Sequence, residues 1–288
     1  MVKDVIRQVS VVGSGAMGSQ IAMVSALAGF EVYLQDISED SLKKAEESLR
    51  GHLNRRVEKG KLSEEQVEEA FSRLQFVTSL EEAVKSSDFV IEAIVEKLDA
   101  KRQLFSEVDR LAPANAIIAT NSSTIVSSKI ADATNRPDKV CNLHFFNPVL
   151  VMELVEVVKG PHTSDETANL AFNFVKEIKK VPILLKKEIS GFVANRLLGK
   201  LTDEAIYLFE NDIASFEEID IAATKALNHP IGPFALMDLT GIDVNYYINQ
   251  LQYEESGDEK DKPSKILKEK YEKGEFGRKT GKGFYEYN

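Results

Sequence analysis

Along the first half of the chain, short β-branched apolar runs alternate with stretches whose apolar residues recur every three or four positions. That alternation is the pattern of βαβ units feeding a mostly parallel sheet. Residues 9–12 read as a strand, 13–18 as a tight turn and 19–28 as a helix; a second strand over 31–34 ends at Asp36. A long, highly charged helix is expected over 40–58, broken at Gly60, and Ser63 with Gln66 spells a capping box that starts another helix toward Leu74. These two helices make an excursion, 40–74, too long for an ordinary crossover. Further strands are expected at 76–78, 89–94, 117–120, 140–146 and 154–158. Thr163 and Glu166 mark the cap of a helix running to about Lys179, and 183–186 reads as the last strand.

After Lys187 the period changes. Residues 191–208, 216–226 and 234–250 read as amphipathic helices, with no strand before the tail. A polar loop is expected over 254–263 and a tail rich in glycine and lysine over 274–288. The pattern therefore predicts an α/β domain over 1–187, carrying the helical excursion, and a smaller all-α domain over 188–288. There is no internal repeat and no low-complexity segment.

Length and composition agree with this division. The chain has 288 residues, long enough for two domains, and its 43% hydrophobic and 28% charged residues describe a soluble protein with ample core material. No apolar run approaches a membrane span and no signal-peptide pattern opens the chain. A single cysteine excludes an internal disulfide framework and suits a reducing cytoplasm. The net charge of −10 argues against non-specific nucleic-acid binding, while leaving room for a local basic patch that holds an anionic ligand. Only four histidines are available to an imidazole-based mechanism.

The turn Gly13, Ser14, Gly15, Ala16, Met17, Gly18 matches G-x-G-x-x-G. Its glycines permit the tight turn, close approach of backbone to a pyrophosphate, and close packing of helix on strand. The motif follows a predicted strand and opens a predicted helix, where free N–H groups and the helix dipole favour negative charge. Asp36 stands about 20 residues further on, at the end of the next strand, where an acid holds the ribose 2′-OH of NAD and repels the 2′-phosphate of NADP. Together these features predict a Rossmann-type domain that binds NAD.

His144 lies in an apolar strand that ends at Pro148, and Glu156 in a second strand with mostly apolar neighbours. Either His144 is a buried structural histidine, or it is a base. Either Glu156 faces solvent from an edge strand, or it is buried and needs a partner, because an unpaired buried carboxylate is costly. If the two strands are neighbours, the pair forms a base with its orienting carboxylate. Cys141 does not complete a cysteine–histidine pair, since three residues along a strand place the two side chains on opposite faces. The histidines and the cysteine lack any metal-ligand spacing.

Residues 143–156, LHFFNPVLVMELVE, closely resemble the L-3-hydroxyacyl-CoA dehydrogenase family, including its bacterial 3-hydroxybutyryl-CoA members. The resemblance extends over nearly the whole chain, through GSGAMG at 13–18, EAIVE at 92–96, ATNSS at 119–123, GFVANRLL at 191–198, HPIGPFALMD at 229–238 and FGRKTGKGFY at 276–285. It implies that His144 takes the hydroxyl proton as hydride leaves for the nicotinamide, and that Glu156 orients and supports that histidine. Ser123 and Asn195 match residues that hold the substrate near the catalytic centre. Asp36, Glu96, Lys101, Ser123, Asn147 and Lys279 match positions that contact NAD. Read without the resemblance, Ser123 is a helix cap before Thr124, Asn195 caps or packs its own helix, and Lys101 and Lys279 are solvated charges.

One departure concerns the excursion: the family's CoA-contacting serine aligns with His52 and its lysine with Lys59. Arg55, Arg56, Lys59 and Lys61 still make a basic cluster able to meet CoA phosphates, or else a solvated helix face. The expected activity is NAD-dependent oxidation of (S)-3-hydroxyacyl-CoA thioesters, a reaction of fatty-acid β-oxidation, with an acyl-CoA substrate. The family also implies a homodimer formed through the helical domain. The alternatives are a sugar-acid dehydrogenase of gulonate type, which keeps the dyad and loses CoA affinity, and a non-catalytic crystallin-like protein.

Overall fold

The computed structural model describes residues 2–287. These form two compact units, one ending at Phe192 and the other beginning at Val193. The first opens with a short helix α1 (Val2–Val5), then β1 (Gln8–Val12), α2 (Ala16–Leu27) and β2 (Glu31–Gln35). The excursion is two helices, α3 (Glu39–Glu58) and α4 (Glu64–Ser72), leading into β3 (Leu74–Val77). The capping box read from Ser63 and Gln66 is formed in both directions, a device worth about 1 kcal/mol. There follow α5 (Leu80–Val84), β4 (Phe89–Glu92), α6 (Leu98–Leu111), β5 (Ile117–Thr120), β6 (Val140–Phe145), β7 (Leu154–Val158), α7 (Asp165–Glu177) and β8 (Val181–Leu185).

The eight strands make one sheet in the order β3-β2-β1-β4-β5-β6-β7-β8, parallel throughout except where β7 meets β6 antiparallel. Both faces are buried. Val9, Val11, Phe89, Ile91, Cys141, Leu143 and Phe145 enter one core, while Val12, Val90, Ile118 and Val140 enter the other. This is why the strands read as continuous apolar runs rather than alternating ones. Cys141 therefore lies on the face opposite His144, as its spacing requires, and burial pushes its thiol up to about 12, which leaves it inert.

The second unit is helical: α8 (Ala194–Glu210), α9 (Phe216–Lys225), α10 (Pro233–Thr240), α11 (Ile242–Ser256) and α12 (Lys265–Glu272). A cluster of Phe209, Phe216, Phe234 and Phe284 fills its centre. Two expectations are corrected here. The single helix over 234–250 is two helices, because Gly241 takes φ of 104° between them, a conformation that ends the first. A helix not expected from the sequence, α12, is capped by Ser264 and buries Leu267 behind a mostly charged face. A third correction falls in the first unit: α7 is capped by Ser164, not Thr163, whose hydroxyl instead donates to the carbonyl of Val140 at 2.6 Å.

Candidate active site

Strands β1, β2, β4, β5 and β6 are mutually parallel, so the residues that follow each of them emerge along one edge of the sheet. The chain leaves β1 toward β2 on one side, while β4 lies on the other side of β1. A crevice at such a switch point is where open α/β sheets bind ligands.

Three glycines shape its floor. Gly13 takes φ of 101°, and a Cβ there would lie 2.6 Å from the carbonyl oxygen of Ala93. At Gly18 a Cβ would overlap the carbonyl of Gly13, so only glycine lets α2 pack this close to β1. Above Gly15, by contrast, nothing lies within 4 Å of where a Cβ would be, and Gly15 caps α2 without any side-chain bond. The first turn of α2 thus presents backbone N–H groups to open space, the arrangement that binds phosphate. Ala16 lines the opening, whereas the Met17 side chain turns away to pack against the core. A cleft of about 850 Å³ extends from this turn past Ser14, Asp36, Ile37 and Lys44 on one flank and Ile94 and Val95 on the other. The Asp36 carboxylate accepts 2.8 Å bonds from both the N–H and the hydroxyl of Ser14 and a 3.1 Å bond from the Ser38 N–H.

At the end of β4, next to Ala93 and Ile94 of the cleft lining, the chain carries buried charge. Lys101 is only 1% exposed, so it is no solvated surface lysine. Its ammonium sits 2.6 Å from Glu92 and 3.2 Å from Glu96. Burial alone would push the Glu96 carboxyl up, yet bonds from Ser122 and Thr124 and the Lys101 charge hold it below the ordinary value. Glu92 was not among the residues expected from the sequence, although a glutamate closing an apolar strand is the kind of buried carboxylate that demands a partner.

The dyad lies two strands further along the edge. In the β6–β7 register His144 stands directly opposite Glu156, and His144 Nδ1 is 2.8 Å from Glu156 Oε2. Glu156 is fully buried and His144 nearly so, which settles the sequence-level choice in favour of a paired, interior carboxylate. Phe146 and Phe192 flank the imidazole edge-on and tilted, at ring-centroid distances of 4.5 and 5.3 Å. Nε2 makes no hydrogen bond to any described residue and remains available at the carboxyl end of β6.

The remaining candidates fall in different settings. Ser123 is half-buried in the turn after β5 and does not cap an α-helix, since only a 3₁₀ turn at Ser127–Lys129 follows. Asn147 is exposed just past β6. In the excursion, Arg55 is exposed and bonds His52 Nδ1 at 3.1 Å, and Lys59 is exposed at the end of α3. Arg56 is different: it is half-buried and donates at 2.6 Å to the carbonyl of Leu150, in the turn that joins the two strands of the dyad. Within the second unit, Asn195 is exposed in the first turn of α8, and Lys279 pairs with Asp243 at 2.5 Å over the ring of Phe276.

Comparison with known proteins gives a concordant result. Residues 8–189 match the family model of the 3-hydroxyacyl-CoA dehydrogenase NAD-binding domain, and residues 191–287 that of the 3-hydroxyacyl-CoA dehydrogenase C-terminal domain. The 3-hydroxybutyryl-CoA dehydrogenase of Clostridioides difficile is 40% identical over 281 residues, covering 98% of this chain and 99% of its own. The human mitochondrial hydroxyacyl-coenzyme A dehydrogenase is 40% identical over 291 residues, covering 99% of this chain and 92% of its own. Among solved structures, the (S)-3-hydroxybutyryl-CoA dehydrogenase of Ralstonia eutropha superposes with a TM-score of 0.92 at 39% identity, covering 98% of this chain and 99% of that one.

Proposed function

This chain belongs to the 3-hydroxyacyl-CoA dehydrogenase family, and we propose that it interconverts short-chain (S)-3-hydroxyacyl-CoA, such as 3-hydroxybutyryl-CoA, and 3-oxoacyl-CoA with His144 as the acid–base group. The observation that carries the reading is the buried 2.8 Å pair of His144 and Glu156 on the same sheet edge as the glycine turn. The cofactor is NAD, which when bound supplies the acceptor for hydride from the carbinol carbon. The open space above Gly15, the uncapped start of α2 and the cleft reaching Asp36 fit a dinucleotide.

An ionised Glu156 accepts from Nδ1–H, which leaves the Nε2 lone pair free to take the substrate hydroxyl proton. The resulting imidazolium is stabilised by the carboxylate behind it. Within the first unit Ser123 holds the thioester, while Glu96, Lys101 and Asn147 complete the cofactor site. We assign the protein to the cytoplasm. Its helical half exposes Leu197, Ile213, Ile221, Leu227 and Leu251, apolar side chains of the kind that a homodimer would cover.

The activity is tested by loss of NADH absorbance. Turnover is expected with acetoacetyl-CoA and not with free acetoacetate. Formation of NADH from gulonate and NAD⁺, without turnover of the thioester, would identify a sugar-acid dehydrogenase, and no turnover with either would identify a binding or structural protein. The same assay tests the basic cluster. An exposed charge contact is worth about 0.2–1 kcal/mol, so replacing both Arg55 and Lys59 with alanine should raise KM for acetoacetyl-CoA by about two- to thirtyfold. The effect should shrink at high salt and spare the KM for NADH. Arg56 is kept in that variant because its guanidinium already serves Leu150. An unchanged KM would remove the excursion from CoA recognition.

Cofactor choice is expected to rest on Asp36. Its carboxylate faces the ribose end of the cleft, and Lys44 lines the same flank. Asp36→Asn removes the repulsion toward a 2′-phosphate and leaves Lys44 able to meet it, so the preference for NADH over NADPH should narrow by about tenfold or more. Comparison of kcat/KM for the two cofactors measures this. A preference that survives the substitution intact would place the selecting group elsewhere.

A further inference from the structure

Beneath the cleft, the carboxylate of Glu92 is 1% exposed and is met entirely by donors. Its Oε1 accepts from the Ile94 N–H at 2.8 Å and from Lys101 Nζ at 2.6 Å, and its Oε2 accepts from Thr120 Oγ1 at 2.6 Å. The direction of the last bond is fixed, because Thr120 Oγ1 itself accepts from the Ser122 N–H at 3.1 Å and must turn its own proton toward Glu92. The chain of bonds continues. Asn142, fully buried on β6 two residues before His144, donates to the carbonyls of Ser122 and Ile125 at 3.3 and 3.1 Å. Its Oδ1 accepts from the Ser127 N–H at 2.7 Å. The turn that carries Ser123 is thus tied to β4 on one side and to the strand of the dyad on the other.

We propose that Glu92 is a positioning residue that couples the two halves of the site, holding the Lys101 ammonium beneath the cofactor and, through Thr120, the Ser122–Ser123 turn beneath the substrate. The assignment rests on the dehydrogenase reading. Two carboxylates flank one ammonium, so the cluster carries a net negative charge at the end of β4. Removing the Glu92 charge leaves Lys101 with Glu96 alone, whose side chain is 42% exposed, and draws the ammonium toward Glu96. Buried charge-assisted hydrogen bonds are the strong ones, and the loss of one propagates to whatever it positions.

The experiment measures NADH affinity by fluorescence, and kcat and KM for acetoacetyl-CoA at saturating NADH, in Glu92→Gln, Thr120→Val and the double variant. Glu92→Gln is expected to weaken NADH binding by about tenfold and to lower kcat on the substrate side as well. Thr120→Val, which removes the hydroxyl between Glu92 and the Ser122 N–H but keeps the Glu92–Lys101 pair, should lower kcat while leaving NADH affinity within about twofold. On the substrate side the double variant should be no worse than Glu92→Gln, because one path cannot be cut twice. Should Glu92→Gln fail to fold, Glu92→Gln with Lys101→Met leaves no uncompensated buried charge, and must show a larger substrate-side loss than Lys101→Met alone. Normal NADH affinity in folded Glu92→Gln, or additive losses in the double variant, would overturn the assignment. No NADH binding by the unsubstituted chain would overturn the dehydrogenase reading and this assignment with it.

Discussion

His144→Gln is expected to remove nearly all turnover while NADH affinity stays close to that of the unsubstituted protein. The reaction must take a proton from the substrate hydroxyl as the carbinol carbon is oxidised, and Nε2 of His144 is the proposed base, its other nitrogen already bonded to a buried carboxylate. An amide has comparable polarity and still donates toward Glu156, so the register of β6 and β7 should survive, but it has no basic lone pair. General acid–base assistance is worth about 10²–10⁴-fold, and the loss in kcat should reach at least the lower end of that range. Cofactor affinity should not follow, because the glycine turn, Asp36 and the Lys101 cluster are carried by other elements of the first unit. Fluorescence titration with NADH alongside kcat separates the two effects. A loss smaller than tenfold in kcat would be too weak for the proposed base.

The parts of this site legible in the sequence are those in which local backbone demands narrow the choice of residue. Gly13 and Gly18 are forced by a positive φ and by backbone overlap, and Asp36 by its place at the end of a strand, so their pattern carries meaning without tertiary knowledge. The strands were legible for a related reason: burial on both faces leaves few alternatives to β-branched runs. His144 and Glu156 stood out as polar residues in apolar strands, but their pairing was legible only through the family resemblance and not from the strands themselves. It depends on β7 turning back antiparallel against β6, and a chain of otherwise parallel strands gives no local signal of that reversal. Without the family resemblance, Arg56 and Lys101 pass for solvated charges for the opposite reason. Both sit on charged helices where neighbouring lysines and glutamates are solvated, and only the fold shows that one donates to the carbonyl of Leu150 and the other is buried against Glu92 and Glu96. Glu92 escaped notice because its partners, Lys101 and Thr120, come from elements that only the sheet order brings together.

Glu156→Gln should lower kcat on a scale approaching that of His144→Gln, even though Glu156 never touches substrate. The carboxylate is acceptor-only, so it dictates that Nδ1 carries the proton and Nε2 the lone pair. A glutamine of the same shape offers an amide nitrogen as readily as an oxygen. Where the nitrogen faces Nδ1 it enforces the reverse tautomer, with Nε2 protonated and unable to act as base. The substitution also withdraws the negative charge that stabilises the imidazolium in a site screened from water by Phe146 and Phe192. In the serine-protease triad the matching change of carboxylate to amide costs about 10⁴ in kcat, which sets the scale. The expectation for kcat here is therefore a loss of about 10²–10⁴-fold with little change in NADH affinity. Combining the two substitutions should cost scarcely more than His144→Gln alone, since a carboxylate that acts through the imidazole has nothing to support once the imidazole is gone. The check is kcat for both single variants and the double variant. A fully multiplicative loss, or a Glu156→Gln protein with unaltered kcat, would show that this buried glutamate serves the sheet and not the base.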